Sequence, residues 1–232
     1  MHFKERSNKN KVSKTELSKD TFEIFDKLAP EYDEWFDKQG KLVFANEVAA
    51  FKNVLPSLPK PWLEIGVGSG RFAQALGIET GVEPSLKMAE IARDRGIDVF
   101  VVKGDDTHFD DNTFGAVFLI VTLCFLDSPL PVLKEAKRIL AKDGKLVLGL
   151  VLKESPWGDF YLQKKAEGHR FYNYAIFYSF DEVKELLHQA GFILGETTST
   201  LFQKPDDIRI VEESREGYYP DAGFTVITAY TK

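Results

Sequence analysis

The segment WLEIGVGSGRF, residues 62–72, places three glycines at alternate positions, Gly66, Gly68 and Gly70, directly after an apolar run carrying the carboxylate Glu64. Residues without a Cβ let backbone approach a ligand where other side chains would clash. Further acidic residues follow at the ends of apolar runs: Glu83 in ETGVEP, then Asp105 and Asp106 after DVFVV. Pro84 disfavours helical geometry at the residue before it, so Glu83 is held extended. Its two oxygens are then free to accept hydrogen bonds from the vicinal hydroxyls of a ribose. A fourth apolar run, GAVFLIV, ends in Val121 followed by Thr122. In open α/β sheets ligands bind beyond the carboxyl ends of the strands, where these residues all stand.

The elements that must position them alternate in kind. Five short β-rich runs, PWLEIGV, ETGVEP, DVFVVKGD, GAVFLIV and KLVLGLVL, lack a polar face, as strands of a parallel sheet covered on both sides do. Between them lie helical segments with start and stop signals. SPLPVLKEAKRIL opens on Ser128 and Pro129, SFDEVKELLHQAG has a capping box in Ser179 and Glu182, and Gly96 and Gly191 stand where helices should end. This alternation predicts a doubly wound, mostly parallel sheet between two helical layers. FILGETTSTLFQ and GFTVITAYTK have no helix clearly written between them and predict an antiparallel C-terminal pair. Upstream, FEIFDKLAPEYDEWF and residues 42–54 have helical spacing.

Composition narrows the function classes. The 232 residues are 44% hydrophobic and 28% charged, with a net charge of −6. That is an ordinary globular composition, and it argues against a broad phosphate-backbone footprint. The single cysteine, Cys124, excludes an intrachain disulfide and argues against a Cys-based metal site; a reducing cytoplasm fits best. The longest apolar run, residues 116–126, is too short for a transmembrane helix. MHFKERSNKNKVSK is basic without a signal-peptide core and reads as a solvated leader, with an RNA- or partner-binding arm as the alternative.

In order and spacing, FDKLAPEYDEWF, LEIGVGSGRF, GVEPS, GDDTHFDDNTFGAVF, LKEAKRILAKDGKLVL and YSFDEVKELLHQAGF resemble the class I S-adenosylmethionine-dependent methyltransferases, in particular the small-molecule, type 11-like group. The resemblance implies a seven-stranded Rossmann-like sheet in a three-layer α/β/α fold, S-adenosylmethionine as cofactor and S-adenosylhomocysteine as product. It implies that Gly66, Gly68 and Gly70 pass under the methionyl part, that Glu64 is near its amino group, that Glu83 binds the ribose, and that Asp105 and Asp106 bracket the adenine. Tyr32, Val121 and Thr122 complete the expected cofactor set. The main competitor is a nicotinamide-dependent oxidoreductase, whose G-x-G-x-x-G fingerprint would need a third glycine where Arg71 stands. A non-catalytic S-adenosylmethionine-binding domain is the other alternative.

The expected organisation is a leader over 1–20 and a single domain over 21–232. The domain comprises N-terminal helices (21–58), a cofactor-binding core (61–152), an acceptor lid (153–178) and a C-terminal helix with strands (179–232). The lid segment, KESPWGDFYLQKKAEGHRFYNYAIFY, is long and aromatic, as binding loops often are; its rings could equally form a small core beneath it. The expected acceptor contacts are Tyr32, Trp35, Trp157, Phe171 and Tyr172. Amino-methyltransferases of nucleic-acid bases carry an N-P-P-Y or D-P-P-Y run after the fourth strand; none follows the fourth apolar run here, and by that resemblance, with the acidic charge, a small-molecule acceptor methylated on nitrogen or oxygen is expected. A monomer or homodimer is expected. His169, Glu167, Tyr172, Tyr174, Tyr32 and Asp33 are all candidate bases, and the residue types do not choose among them.

Overall fold

The computed structural model describes residues 23–231. The leader expected over 1–20 lies outside the described residues, as does Phe22 of the first helical pattern. The five central runs form β1 (Trp62–Ile65), β2 (Thr80–Val82), β3 (Asp98–Phe100), β4 (Phe114–Ile120) and β5 (Leu140–Leu150); β6 (Phe192–Thr200), β7 (Arg215–Glu216) and β8 (Phe224–Thr231) follow. Their order is β3-β2-β1-β4-β5-β8-β6-β7.

β1 to β5 pair in parallel, whereas β8 runs antiparallel between β5 and β6. Among the described residues the sheet has eight strands rather than the expected seven. The extra one is the two-residue β7, which pairs with the end of β6 through Thr198 and Ser199. β3 is shorter than DVFVVKGD because the Val102 N–H turns back to the Phe100 carbonyl (3.0 Å), which takes the chain away from β2.

Alternation along β4 divides the core into two layers. Ala116, Phe118 and Ile120 face one cluster with Phe51, Phe72, Ala92 and Trp157; Val117 and Leu119 face the other with Leu133, Ile139, Val183 and Leu187. The first layer thus holds α2 (Lys41–Lys52), α3 (Arg71–Leu76), α4 (Leu86–Asp94) and α6 (Pro156–Ala166), and the second holds α5 (Pro129–Ile139) and α7 (Phe180–Gln189). A short helix, α1 (Ala29–Trp35), carries Pro30 in its first turn, where a missing N–H costs nothing. The capping box at α7 forms in full, with Ser179 Oγ accepting from Glu182 N–H (3.1 Å) and Glu182 Oε2 accepting from Ser179 N–H (2.7 Å). Ser128 takes the cap position of α5 without a side-chain cap bond.

Helix α6 occupies residues 156–166 of the segment expected as a lid. Ser155 Oγ accepts from Gly158 N–H (2.9 Å), Pro156 opens the first turn, and Gly168 adopts φ 81° just beyond the end.

Candidate functional site

The strand order reverses between β1 and β4, and a cleft of about 390 Å³ opens beyond the carboxyl ends of β1 to β4. Gly66 and Gly68 line it from β1, Glu83, Pro84 and Ser85 from β2, Asp105 from beyond β3, and Val121 and Thr122 from β4. Gly66 has φ 74°, and a Cβ there would stand 2.4 Å from the Thr122 side chain; both facts require glycine. Thr122 Oγ1 in turn donates to the Gly66 carbonyl (3.2 Å). Val121 has φ 52°, a strained conformation for a β-branched residue. Such strain persists only where surrounding structure enforces it; here Val121 N–H donates to the Gly149 carbonyl of β5 (2.9 Å).

Glu83, 8% exposed, is pinned at both oxygens. Oε2 accepts the Gly68 N–H and Oε1 the Ser85 N–H, each at 2.9 Å. Burial pushes its carboxyl up to about 7, against the pull of these two bonds. Each oxygen keeps further acceptor capacity on the cleft side.

The loop is also fastened from outside. Arg71, which departs from the dinucleotide fingerprint, donates bidentately to Asp33 of α1 (2.8 Å from both Nε and Nη2) and to Asp37. Arg95 joins Asp33 (2.7 Å) to the Ser69 carbonyl (2.7 Å). Burial would raise the Asp33 carboxyl, but hydrogen bonds from Arg71, Ser69 and Arg95 hold it at about 2. Asp33 is therefore committed as an anion to tying α1 onto the glycine loop.

A second cavity, of about 340 Å³, adjoins the cleft and shares Tyr32, Val121 and Phe125 with it. Phe25, Tyr32, Phe125 and Phe171 form the partition: Phe25 meets the other three rings at 5.0–5.5 Å between centroids, and Tyr32 meets Phe171 at 5.4 Å. Beyond it stand Trp35, Phe36, Glu47, Tyr161 and Tyr172, with His169 stacked on Tyr172 at 4.4 Å.

Of the residues expected at the cofactor, Tyr32, Gly66, Gly68, Glu83, Asp105, Val121 and Thr122 come together in the cleft wall; Glu64, Gly70 and Asp106 do not line it. Glu64 is 1% exposed within β1. Burial and the neighbouring Glu83 charge raise its carboxyl well above the ordinary range, a backbone hydrogen bond from Ala73 partly offsets this, and Oε2 has no partner. A Cβ on Gly70 would stand 2.9 Å from Ala92, so this glycine lets α3 and α4 approach. Asp106 points to solvent beside His108.

Of the acceptor-side residues, Tyr32, Trp35, Phe171 and Tyr172 line the second cavity and Trp157 lines neither space. The strand-end argument for Trp157 fails because α6 turns its ring inward. The indole is 2% exposed, donates Nε1–H to the Gln203 carbonyl (2.9 Å) and packs flush on Gly223, where a Cβ would stand 2.2 Å away. Sequence reasoning missed Glu47, buried on α2, and Phe25 and Phe125 of the partition. A charged residue interrupting the apolar stripe of a helix was the available signal for Glu47.

Comparison with known proteins follows the same outline. A family model for a methyltransferase domain matches residues 63–148. An uncharacterized protein of Methanocaldococcus jannaschii is 40% identical over 206 residues, 89% of this chain and 98% of the relative. An uncharacterized protein of Mycobacterium tuberculosis is 38% identical over 203 residues, 87% of this chain and 71% of the relative. A crystal structure from Thermotoga maritima, described as an S-adenosylmethionine-dependent methyltransferase and possible histamine N-methyltransferase, superposes with a TM-score of 0.84 at 38% identity, covering 91% of this chain and all of that one.

Proposed function

The chain belongs to the S-adenosylmethionine-dependent methyltransferases, and from that premise we propose that it methylates a nitrogen or oxygen of a small molecule held in the aromatic cavity. It is an enzyme and its cofactor is S-adenosylmethionine. The cleft suits that cofactor: Gly66 admits a ligand where a Cβ would already collide, and a buried carboxylate pinned at both oxygens retains acceptor capacity for hydroxyls. When bound, S-adenosylmethionine supplies an electrophilic methyl, whose bond to sulfur breaks with the electron pair left on sulfur as the acceptor's lone pair takes the carbon.

In this reading Glu83 holds the ribose, Gly66 and Gly68 offer backbone to the methionyl part, and Asp105 lies toward the adenine. Glu64, Gly70 and Asp106 act from behind the wall or outside it. Residues 153–178, with α6 inside them, close the acceptor side. The protein's main task is positioning, because an in-line displacement needs the acceptor aligned with the departing sulfur.

The observation that carries the reading is the shared wall: Tyr32, Val121 and Phe125 border both spaces, so the acceptor cavity adjoins the cofactor cleft at these side chains. The Thermotoga protein's description as a possible histamine N-methyltransferase supports a nitrogen acceptor. Among the described residues no helix is long and apolar enough to cross a membrane. The test is a labelled-methyl release screen over small amines, phenols, acids and quinones. Turnover of one class is expected. Tight S-adenosylhomocysteine binding with no methyl release to any class would overturn the small-molecule reading.

A further inference from the structure

We propose that the aromatic cavity receives a protonated small amine, and that Glu47 is both its anionic partner and the base that takes its proton. This rests on the methyltransferase reading of the adjoining cleft and specifies the acceptor class.

Glu47 is 5% exposed, lines the cavity, and has no hydrogen bond or ion pair among the described residues. Its neighbour on the same helix shows the contrast. Asn46 is fully engaged, donating to the Leu42 (2.7 Å) and Ile210 (3.1 Å) carbonyls and accepting the Glu212 N–H (2.8 Å). Burying a carboxyl without a partner is costly, and a cation in the cavity would supply the missing one. The remaining wall suits a cation as well. Tyr32, Trp35, Phe36, Tyr161 and Tyr172 present rings, and aromatic faces attract ammonium groups. A carboxylic acid acceptor would meet Glu47 as a like charge.

Among the described residues no cation competes. The titratable groups that face Glu47 are Tyr32 from α1, Tyr161 from α6 and Tyr172 from the turn after it; burial raises all three phenols, and the Glu47 charge adds to this. Cys124 is pushed up to about 12 by burial and is a neutral thiol. Of the other charged groups on the cavity wall, Lys38 pairs with Glu34 at 2.6 Å, Glu31 and Arg170 are exposed, and the His169 imidazole is held below its usual range by burial and by Arg170 and Lys164.

The proton balance is simple. The ammonium N–H bond breaks with its electron pair left on nitrogen, and the proton goes to Glu47 and from there to water. The amine left behind has the lone pair that methylation requires. Burial pushes the Glu47 carboxyl up to about 8, and a base titrating near ambient pH is best matched to this transfer. A bound cation favours the ionised carboxylate, so binding releases a proton from Glu47 below that pH and tightens as pH rises.

The experiment is calorimetric titration of the full chain saturated with S-adenosylhomocysteine, between pH 6 and 9. The probes are benzyltrimethylammonium, whose charge cannot titrate, and its uncharged isostere neopentylbenzene. The cation is expected to bind at least tenfold more tightly than the isostere at pH 8, with affinity rising up to tenfold per pH unit from 6 to 8 and then levelling. Glu47→Gln should remove both the preference and the slope while S-adenosylhomocysteine affinity is retained; Glu47→Asp should keep the slope. Equal affinity for the two probes, no binding of the cation, or a slope that survives in Glu47→Gln would overturn the proposal and leave the methyltransferase reading standing. Failure of the unsubstituted chain to bind S-adenosylhomocysteine would count against that reading instead.

Discussion

Replacing Glu83 with alanine removes a side chain that joins the glycine loop to the end of β2 and faces the cleft. Its oxygens are engaged on the protein side by Gly68 and Ser85, each at 2.9 Å. A ligand's hydroxyls use only the remaining acceptor capacity. Hydrogen bonds to a charged group contribute about 1.5–3 kcal/mol, so loss of the carboxylate should weaken S-adenosylhomocysteine binding by one to two decades at pH 8.

A pH signature accompanies this loss. Burial raises the Glu83 carboxyl to about 7, so its ligand-ready anion is nearly complete at pH 8. Affinity should then fall by up to tenfold per unit as pH drops below 7. The alanine variant has no such group and should show no comparable loss between pH 8 and 6. The fold should survive. A carboxyl raised from 4.5 to about 7 permits full stability below pH 4.5 and costs roughly 3 kcal/mol by pH 8. Removing it relieves that cost where the assay is run, offsetting the two backbone N–H groups left without partners. Calorimetry at pH 6, 7 and 8, with circular dichroism to establish native structure, decides the matter. An alanine variant that is native and binds within threefold of the parent at pH 8 would refute the ribose assignment.

Three further outcomes are expected. S-adenosylhomocysteine at about a hundred times its dissociation constant should stabilise the fold by roughly 2.7 kcal/mol, raising the melting temperature by about 5–10 °C, whereas NAD should give no comparable shift in the same thermal scan. Trp157→Ala should lose about 3–5 kcal/mol of stability in urea unfolding, as a truncated core indole does, with acceptor KM nearly unchanged at a temperature where the variant is folded; a raised KM without destabilisation would return Trp157 to the acceptor wall. Glu47→Gln should be more stable than the parent at pH 8 and equal to it near pH 4. A carboxyl raised from 4.5 to about 8 loses stability progressively over that interval, on the order of 4–5 kcal/mol in all; melting curves at the two pH values test this.

How much was readable in advance follows from the range of the interactions concerned. The glycine loop, the capping box at Ser179 and the strand–helix alternation are local, written within a few residues, and all reappear in the structure. The signals for α6 were local too, a Ser155–Pro156 start and the Gly168 stop, but Trp157, Phe160, Tyr161 and Leu162 crowd its middle and obscure a clear stripe. The two-residue β7 offers too short a pattern to be read at all.

Chain order and residue type were enough to specify a parallel sheet with a cleft at its strand ends, because backbone conformation and alternate-face burial depend on neighbours in sequence. Folding alone determined which residues reach that cleft and which stand behind it. Glu64 lies within β1 and Glu83 just beyond the adjacent β2, and the first is sealed while the second opens to the ligand side. Trp157 obeys the strand-end rule in sequence, and a helix turns it into the core. Glu47 meets Tyr161 and Tyr172 only across more than a hundred residues of intervening chain, where α2 and α6, on the same face of the sheet, bring an acid and a ring of aromatics around one cavity.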